Sequence, residues 1–100
     1  MYPKENFPCT KICNVLFYKI TKALYSKGRR NDIWVTHDGQ YAVCRFGIKN
    51  SSACAIYENS TPDPDNLIHG RWIMGGSQIY PNFRSAAKAL IERYYGESLN

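Results

Sequence analysis

One hundred residues with 44% hydrophobic and 21% charged side chains make one domain, long enough to bury roughly 60 to 70% of the surface its unfolded chain exposes, so neither a disulfide nor a metal is needed merely to fold. Thirteen Lys and Arg against eight Asp and Glu give a formal charge of +5 and a pI near 9.1, which favours an anionic partner without identifying one. No window approaches the ~20 apolar residues of a membrane span, and Met1 to Asn6 carry no apolar run behind a basic flank, so neither a span nor a secretory signal is expected and the cytoplasm is the expected location.

The spacing predicts a first helix over 11–27, with Thr10 as N-cap and Gly28 just past its end. At ~100° per residue, Cys13, Leu16, Phe17, Ile20 and Leu24 share one stripe, and Lys11, Tyr18, Lys22 and Tyr25 lie opposite. The plain reading of that opposite side is a solvated basic face; the functional one is a Lys/Tyr surface that meets phosphate or an acidic protein. Basic charge is densest from Lys19 to Arg30, where Lys19, Lys22, Lys27, Arg29 and Arg30 occur with no acid among them. The first fifty residues hold nine Lys/Arg and three Asp/Glu, the second fifty four and five, so the basicity belongs to the N-terminal half.

Ile33–His37 and Gln40–Phe46 flank Asp38-Gly39, a dipeptide suited to a two-residue turn at positive φ, and predict a hairpin. Its register would pair Val35 with Ala42, Trp34 with Val43, Ile33 with Cys44 and Asp32 with Arg45. Alternation then puts Ile33, Val35, Ala42, Cys44 and Phe46 on a core face, and Trp34, Thr36, Tyr41, Val43 and Arg45 on the other. That second face is either a further packed surface or an exposed stacking platform with an arginine beside it.

Ala53 to Tyr57 continues the sheet, and two prolines and three acids between Glu58 and Asn66 interrupt it. A second hairpin is expected from Leu67–Met74 and Ser77–Tyr80 about Gly75-Gly76. The closing helix begins near Asn82 or Ser85 and stops at Gly96, with Phe83, Ala86, Ala87, Leu90, Ile91 and Tyr94 on its apolar side. The expected fold is therefore α+β: an antiparallel sheet of four to five strands in two hairpins, flanked by an N-terminal and a C-terminal helix, in one domain spanning 1–100.

No catalytic signature stands in the chain. Cys9, Cys13, Cys44 and Cys54 lack the paired spacing of a zinc site, and in a reducing compartment they read as small apolar residues. A Cys44–Cys54 disulfide depends on a register that sequence does not fix. His37 and His69 have no neighbouring nucleophile motif. Glu58, Asp63 and Asp65 lie in a Pro-rich loop without a Lys or His companion, and Gly75-Gly76 lacks the lysine of a phosphate loop. No enzyme activity, cofactor or metal is expected; a small metal-independent ribonuclease would need His37 or His69 beside Arg45 or Arg71 in a concave basic site.

Binding fits these residues better. Lys and Arg neutralise phosphate, and aromatic rings stack on bases or anchor protein interfaces. The candidate contact residues are Lys19, Lys22, Lys27, Arg29 and Arg30 for electrostatic attraction, with Trp34, Tyr41 and Arg45 for specific contacts. The order helix, strands, helix, with the last helix opened by Phe83-Arg84-Ser85-Ala86-Ala87-Lys88-Ala89, resembles the double-stranded RNA-binding fold. The pattern from Trp72 to Ala89 resembles the small three-stranded domains of phage integrases, which implies DNA reading by the sheet. As a stand-alone, aromatic-rich domain without a catalytic cluster, the chain is also similar to phage and mobile-element proteins that inhibit host defence, including anti-CRISPR proteins. The expected partner is accordingly nucleic acid or a nucleoprotein complex; the alternative is a phage-encoded inhibitor that binds a host defence nuclease.

Overall fold

Cys9–Ile12 (β1) and Val15–Lys19 (β2) form an antiparallel hairpin where a helix is expected from the sequence, with Thr10 opposite Phe17 and Ile12 opposite Val15. The computed structural model describes residues 7–20, 32–45, 52–67 and 69–96. Cys13 and Asn14 join the two strands at φ +46° and +68°, the pair of positive angles that a two-residue type I′ turn demands. Asn is one of the few L-residues that adopts this region readily. The expected helix is thus overturned over its described part, 11–20; its remainder, 21–31, lies outside the described residues. The physical reason is that Val15, Leu16, Phe17 and Tyr18 are β-favouring residues whose alternate members suit the two faces of a sheet. Pairing with the next strand buries Phe17 completely.

Ile33–Thr36 (β3) and Tyr41–Arg45 (β4) form the Asp38-Gly39 hairpin in the register expected, Ile33 with Cys44, Trp34 with Val43, Val35 with Ala42. Its turn is different in kind. Gly39 has φ +76° but Asp38 is not at positive φ, and the Gly39 N–H donates to the Thr36 carbonyl at 2.9 Å. The connection is a four-residue loop, 37–40, rather than a two-residue turn, and the symmetry of the lengthening leaves the register intact.

Cys54–Asn59 (β5) pairs with β4 from Arg45↔Cys54 to Tyr41↔Glu58. Trp72–Met74 (β6) then pairs with β5, Tyr57↔Met74 to Asn59↔Trp72. The expected second hairpin about Gly75-Gly76 does not form. Tyr80 instead bridges Cys54, with both backbone bonds at 2.8 Å, so the chain from 72 to 80 runs along β5 and bulges between Gly75 and Ile79. The sheet is a six-stranded antiparallel meander in order β1-β2-β3-β4-β5-β6.

Phe83–Tyr94 (α1) is the helix expected at the C-terminus. Asn82 caps it, accepting the Ser85 N–H at 2.9 Å, and Gly96 follows it at φ +60°. Ala86, Ala87, Leu90 and Ile91 pack on Val15, Phe17, Val43, Cys54 and Ile56 as one core. The reverse face of the sheet carries a second core of Ile20, Ile33, Val35, Ala42, Cys44 and Leu67, with Phe7, Tyr18, Tyr57 and Trp72 against it. The fold-class expectation is therefore corrected: six strands and, among the described residues, one helix, with no N-terminal helix. The likeness to the double-stranded RNA-binding order loses its first element with that helix. The likeness to a three-stranded integrase sheet does not extend to six strands.

Cys44 and Cys54 belong to opposite faces of the sheet and are one register step apart. A disulfide between them is sterically excluded, and all four cysteines are free thiols.

Candidate functional site

An antiparallel meander sends successive connections to alternate ends of the sheet, and here those ends differ in charge. β2 finishes at Lys19, β4 finishes at Arg45, β3 and β5 begin at Ile33 and Cys54, and α1 begins at Phe83 beside Trp34. All of these lie at one end.

Asp32 organises this end. Arg45 donates from Nε to Asp32 Oδ2 at 3.0 Å and also reaches it through Nη2 at 3.0 Å, while Lys19 Nζ stands 3.8 Å from Oδ1. The Arg45 amide donates to the Asp32 carbonyl at 2.8 Å, so the expected Asp32/Arg45 cross-strand pair is present in both backbone and side chain. Lys19 and Arg45 keep 40% and 33% of their side chains exposed against 19% for Asp32; the carboxylate is covered and the cations face outward. Lys19 Nζ also sits 5.6 Å from the centre of the Trp34 ring, within the range of a cation–π contact.

Trp34 and Tyr41 lie on the face that α1 covers. Phe83 stacks on Trp34 with centroids 4.3 Å apart and planes at 26°, and meets Phe17 edge-on at 5.5 Å. Tyr94 stacks on Tyr41 at 4.1 Å and 15°, with Tyr95 edge-on at 5.6 Å. Of the two readings of that strand face, the packed one describes it: each ring is only partly exposed, and each stacks on the protein's own helix. The structure therefore brings Lys19, Trp34 and Arg45 together and sets Tyr41 apart at the other end of the sheet. Lys22, Lys27, Arg29 and Arg30 lie outside the described residues, in the stretch of sequence that joins Ile20 to Asp32.

The opposite end is acidic. Asp38 Oδ1 accepts from Thr36 Oγ1 at 2.6 Å and from the Gln40 N–H at 3.0 Å, and Oδ2 accepts from Tyr95 Oη at 2.7 Å. Burial on its own would raise the Asp38 pKa, but these hydrogen bonds and the nearby His37 hold the carboxyl below its ordinary range. Burial pushes the Tyr95 hydroxyl up. Asn59 is buried, and its Nδ2 donates to the Gly39 carbonyl at 3.0 Å and to the His69 carbonyl at 2.9 Å. That amide holds the loop after β5 against the β3–β4 tip, so close that a Cβ on Gly39 would lie 3.0 Å from the Asp63 carbonyl oxygen. Asp38, Glu58, Asp63 and Asp65 consequently gather here.

His37 lies 6.5 Å from the Tyr95 ring, far from Arg45 at the basic end. Among the described residues no three of His, Cys, Asp and Glu converge as metal ligands, and no helix is long and apolar enough to cross a membrane. Sequence reasoning passed over Asn59 and Tyr95, the two residues that lock the acidic end. Asn59-Ser60-Thr61 reads as a turn in a stretch of loop composition, and Tyr95 reads only as the last residue of the closing helix, outside its apolar stripe. No family model, curated protein or solved structure matches the chain.

Proposed function

We propose that this protein binds nucleic acid, alone or within a nucleoprotein complex, through the basic end of its sheet. The observation that carries this reading is the gathering of Lys19 and Arg45 at the end to which the sequence 21–31 is attached on both sides. In the sequence, Lys22, Lys27, Arg29 and Arg30 fall between β2 and β3 and Lys49 between β4 and β5, and Asp32 is the one acid among them. The first turn of α1 carries no acidic residue, and its positive dipole end adds to the same potential. Lys and Arg at phosphate displace condensed counterions, so binding is strongly salt-dependent and tolerant of sequence. Because Phe83 occupies a face of Trp34, base stacking contributes less here than phosphate contact does.

Fluorescence anisotropy with labelled single- and double-stranded oligonucleotides across a salt titration tests this reading. Replacing Arg29 and Arg30 with Ala weakens binding and flattens its salt slope by about two, while Arg71→Ala at the acidic end leaves both unchanged. Equal affinity of the double variant and the parent at every salt concentration would sink it.

A second reading is favoured by the acidic end. Four carboxylates on one tip, of which Asp38 is held by Thr36, Gln40 and Tyr95 and Asp63 by the Asp65 N–H, complement a basic nucleic-acid channel, as suits an inhibitor that occupies a host defence nuclease in the manner of anti-CRISPR proteins. That protein would ignore free oligonucleotides and yet co-elute stoichiometrically with a nuclease complex from nuclease-treated bacterial lysate.

A further inference from the structure

The aromatic side chains of this protein serve its own packing. Of the fourteen in the sequence, all but Tyr2, Tyr25 and Phe46 are described, and none of those described rings is exposed. At the basic end Phe83 covers Trp34, Phe17 is fully buried, and Tyr18 packs against the core on the reverse face. Proteins that hold single strands without sequence preference do so on free rings, on which successive bases stack. The described surface at this end offers charge instead.

That charge extends from the sheet onto the helix. Lys19 lies opposite Trp34 and Arg45 opposite Cys54; Trp34 and Cys54 belong to the core beneath α1, so both cations stand on the side of the sheet that carries the helix. α1 enters at Phe83 on Trp34. Its next cations, Arg84 and Lys88, are exposed and have no ion-pair partner among the described residues. They are one turn apart, about 6 Å along the axis. Glu92, the one acid of α1, lies a further turn toward the acidic end, and Arg93 is engaged there with the Gly75 carbonyl at 2.8 Å.

We infer that the ligand of this surface is double-stranded nucleic acid, held by its phosphates along Lys19, Arg45, Arg84 and Lys88, and that single strands bind more weakly. The choice of a duplex rests on the reading of the basic end as a nucleic-acid contact and narrows it. A duplex carries one negative charge per ~1.7 Å of its axis, and each phosphate neutralised on it releases more counterion than one on a single strand. Single strands offset that deficit by stacking, and stacking needs ring faces that Phe83 and the two cores already occupy. Arg84 and Lys88 enlarge the contact without adding a reader of base edges at a ring, so the duplex is held by its backbone and in no fixed register.

Competition anisotropy with the full chain compares duplex DNA, duplex RNA and the single strands of each at equal length and low salt. At least one duplex competes about tenfold better than its own single strands. Arg84→Gln combined with Lys88→Gln lowers duplex affinity roughly tenfold and flattens the salt slope by about two. Lys11→Gln combined with Arg71→Gln removes the same charge from the other end of the sheet and has little effect on either. Single strands that compete as well as both duplexes overturn the inference and leave nucleic-acid binding standing. So do an unchanged salt slope in the Arg84/Lys88 variant and an equal loss in the Lys11/Arg71 variant. Failure to bind any of these oligonucleotides overturns both.

Discussion

Tyr95, the residue that closes α1, donates its hydroxyl hydrogen to Asp38 Oδ2 at the β3–β4 tip over 2.7 Å, joining positions 57 residues apart in the chain. The same carboxylate accepts from Thr36 and from the Gln40 amide, so a single side chain shapes the loop and pins the helix end. Tyr95→Phe keeps the ring contact with Tyr41 and removes only this bond; it lowers stability by about 1 to 2 kcal/mol at neutral pH. The folded-state pKa of Asp38 is depressed, so its stabilisation is complete above the unfolded value of ~3.9 and is lost as pH falls through the folded one. The gap between parent and variant therefore narrows toward pH ~2. Urea denaturation at the two pH values measures it, and a gap that does not change with pH contradicts the assignment.

Asn14 at φ +68° separates a hairpin from a helix at the N-terminus by the sign of two substitutions. In the turn, Asn14→Gly is neutral or slightly stabilising, and Asn14→Ala costs about 1 kcal/mol because it keeps the Cβ that crowds the carbonyl and loses the short polar side chain that offsets it locally. In a helix interior the order reverses, with Gly worse than Ala by about 1 kcal/mol. Thermal melts of the two variants decide between these structures.

That same segment shows what a sequence leaves ambiguous. Positions 13, 16, 17 and 20 satisfy a helical stripe, and positions 15 and 17 satisfy one face of a strand, so periodicity alone does not choose; the choice is made by the partner β3, which lies across residues 21–31. The β3–β4 register was legible because apolar alternation on both sides of Asp38-Gly39 fixes it even though the turn has four residues. α1 was legible from Asn82 and Gly96 at its two ends. β6 was legible as a strand within Leu67–Met74, but its partner was not: it pairs with β5 across a loop that Asn59 holds rather than with Ser77–Tyr80, and no local pattern announces that contact. The charge asymmetry, visible as a difference between chain halves, becomes in three dimensions a difference between the ends of one sheet.

Burial pushes the Cys44 thiol up to about 12 and the Cys54 thiol up to about 11, and the two occupy separate cores. Thiolate is the reactive form, so neither reacts in the native protein at neutral pH. A thiol-disulfide reagent at pH ~8 labels the exposed Cys9 first and the half-buried Cys13 more slowly, and reaches Cys44 and Cys54 only after denaturant is added. Mass spectrometry of tryptic peptides counts the labels; native labelling of Cys44 at the rate of Cys9 would show that the second core is open.

Asp32 is the acid among the cations of the basic end, and it partly neutralises Lys19 and Arg45. Asp32→Asn removes one negative charge and loses a partly exposed ion pair, which costs about 1 kcal/mol of stability or less. If this end meets phosphate, the freed cations bind it more strongly: affinity for an oligonucleotide rises about threefold at low salt, and the gain shrinks as salt screens it. Asp65→Asn removes the same charge at the acidic end, and there the long-range change is small because the site lies more than a Debye length, ~8 Å, away. Anisotropy titrations of both variants at two salt concentrations compare them. A larger gain from Asp65→Asn than from Asp32→Asn would move the contact surface to the other end of the sheet.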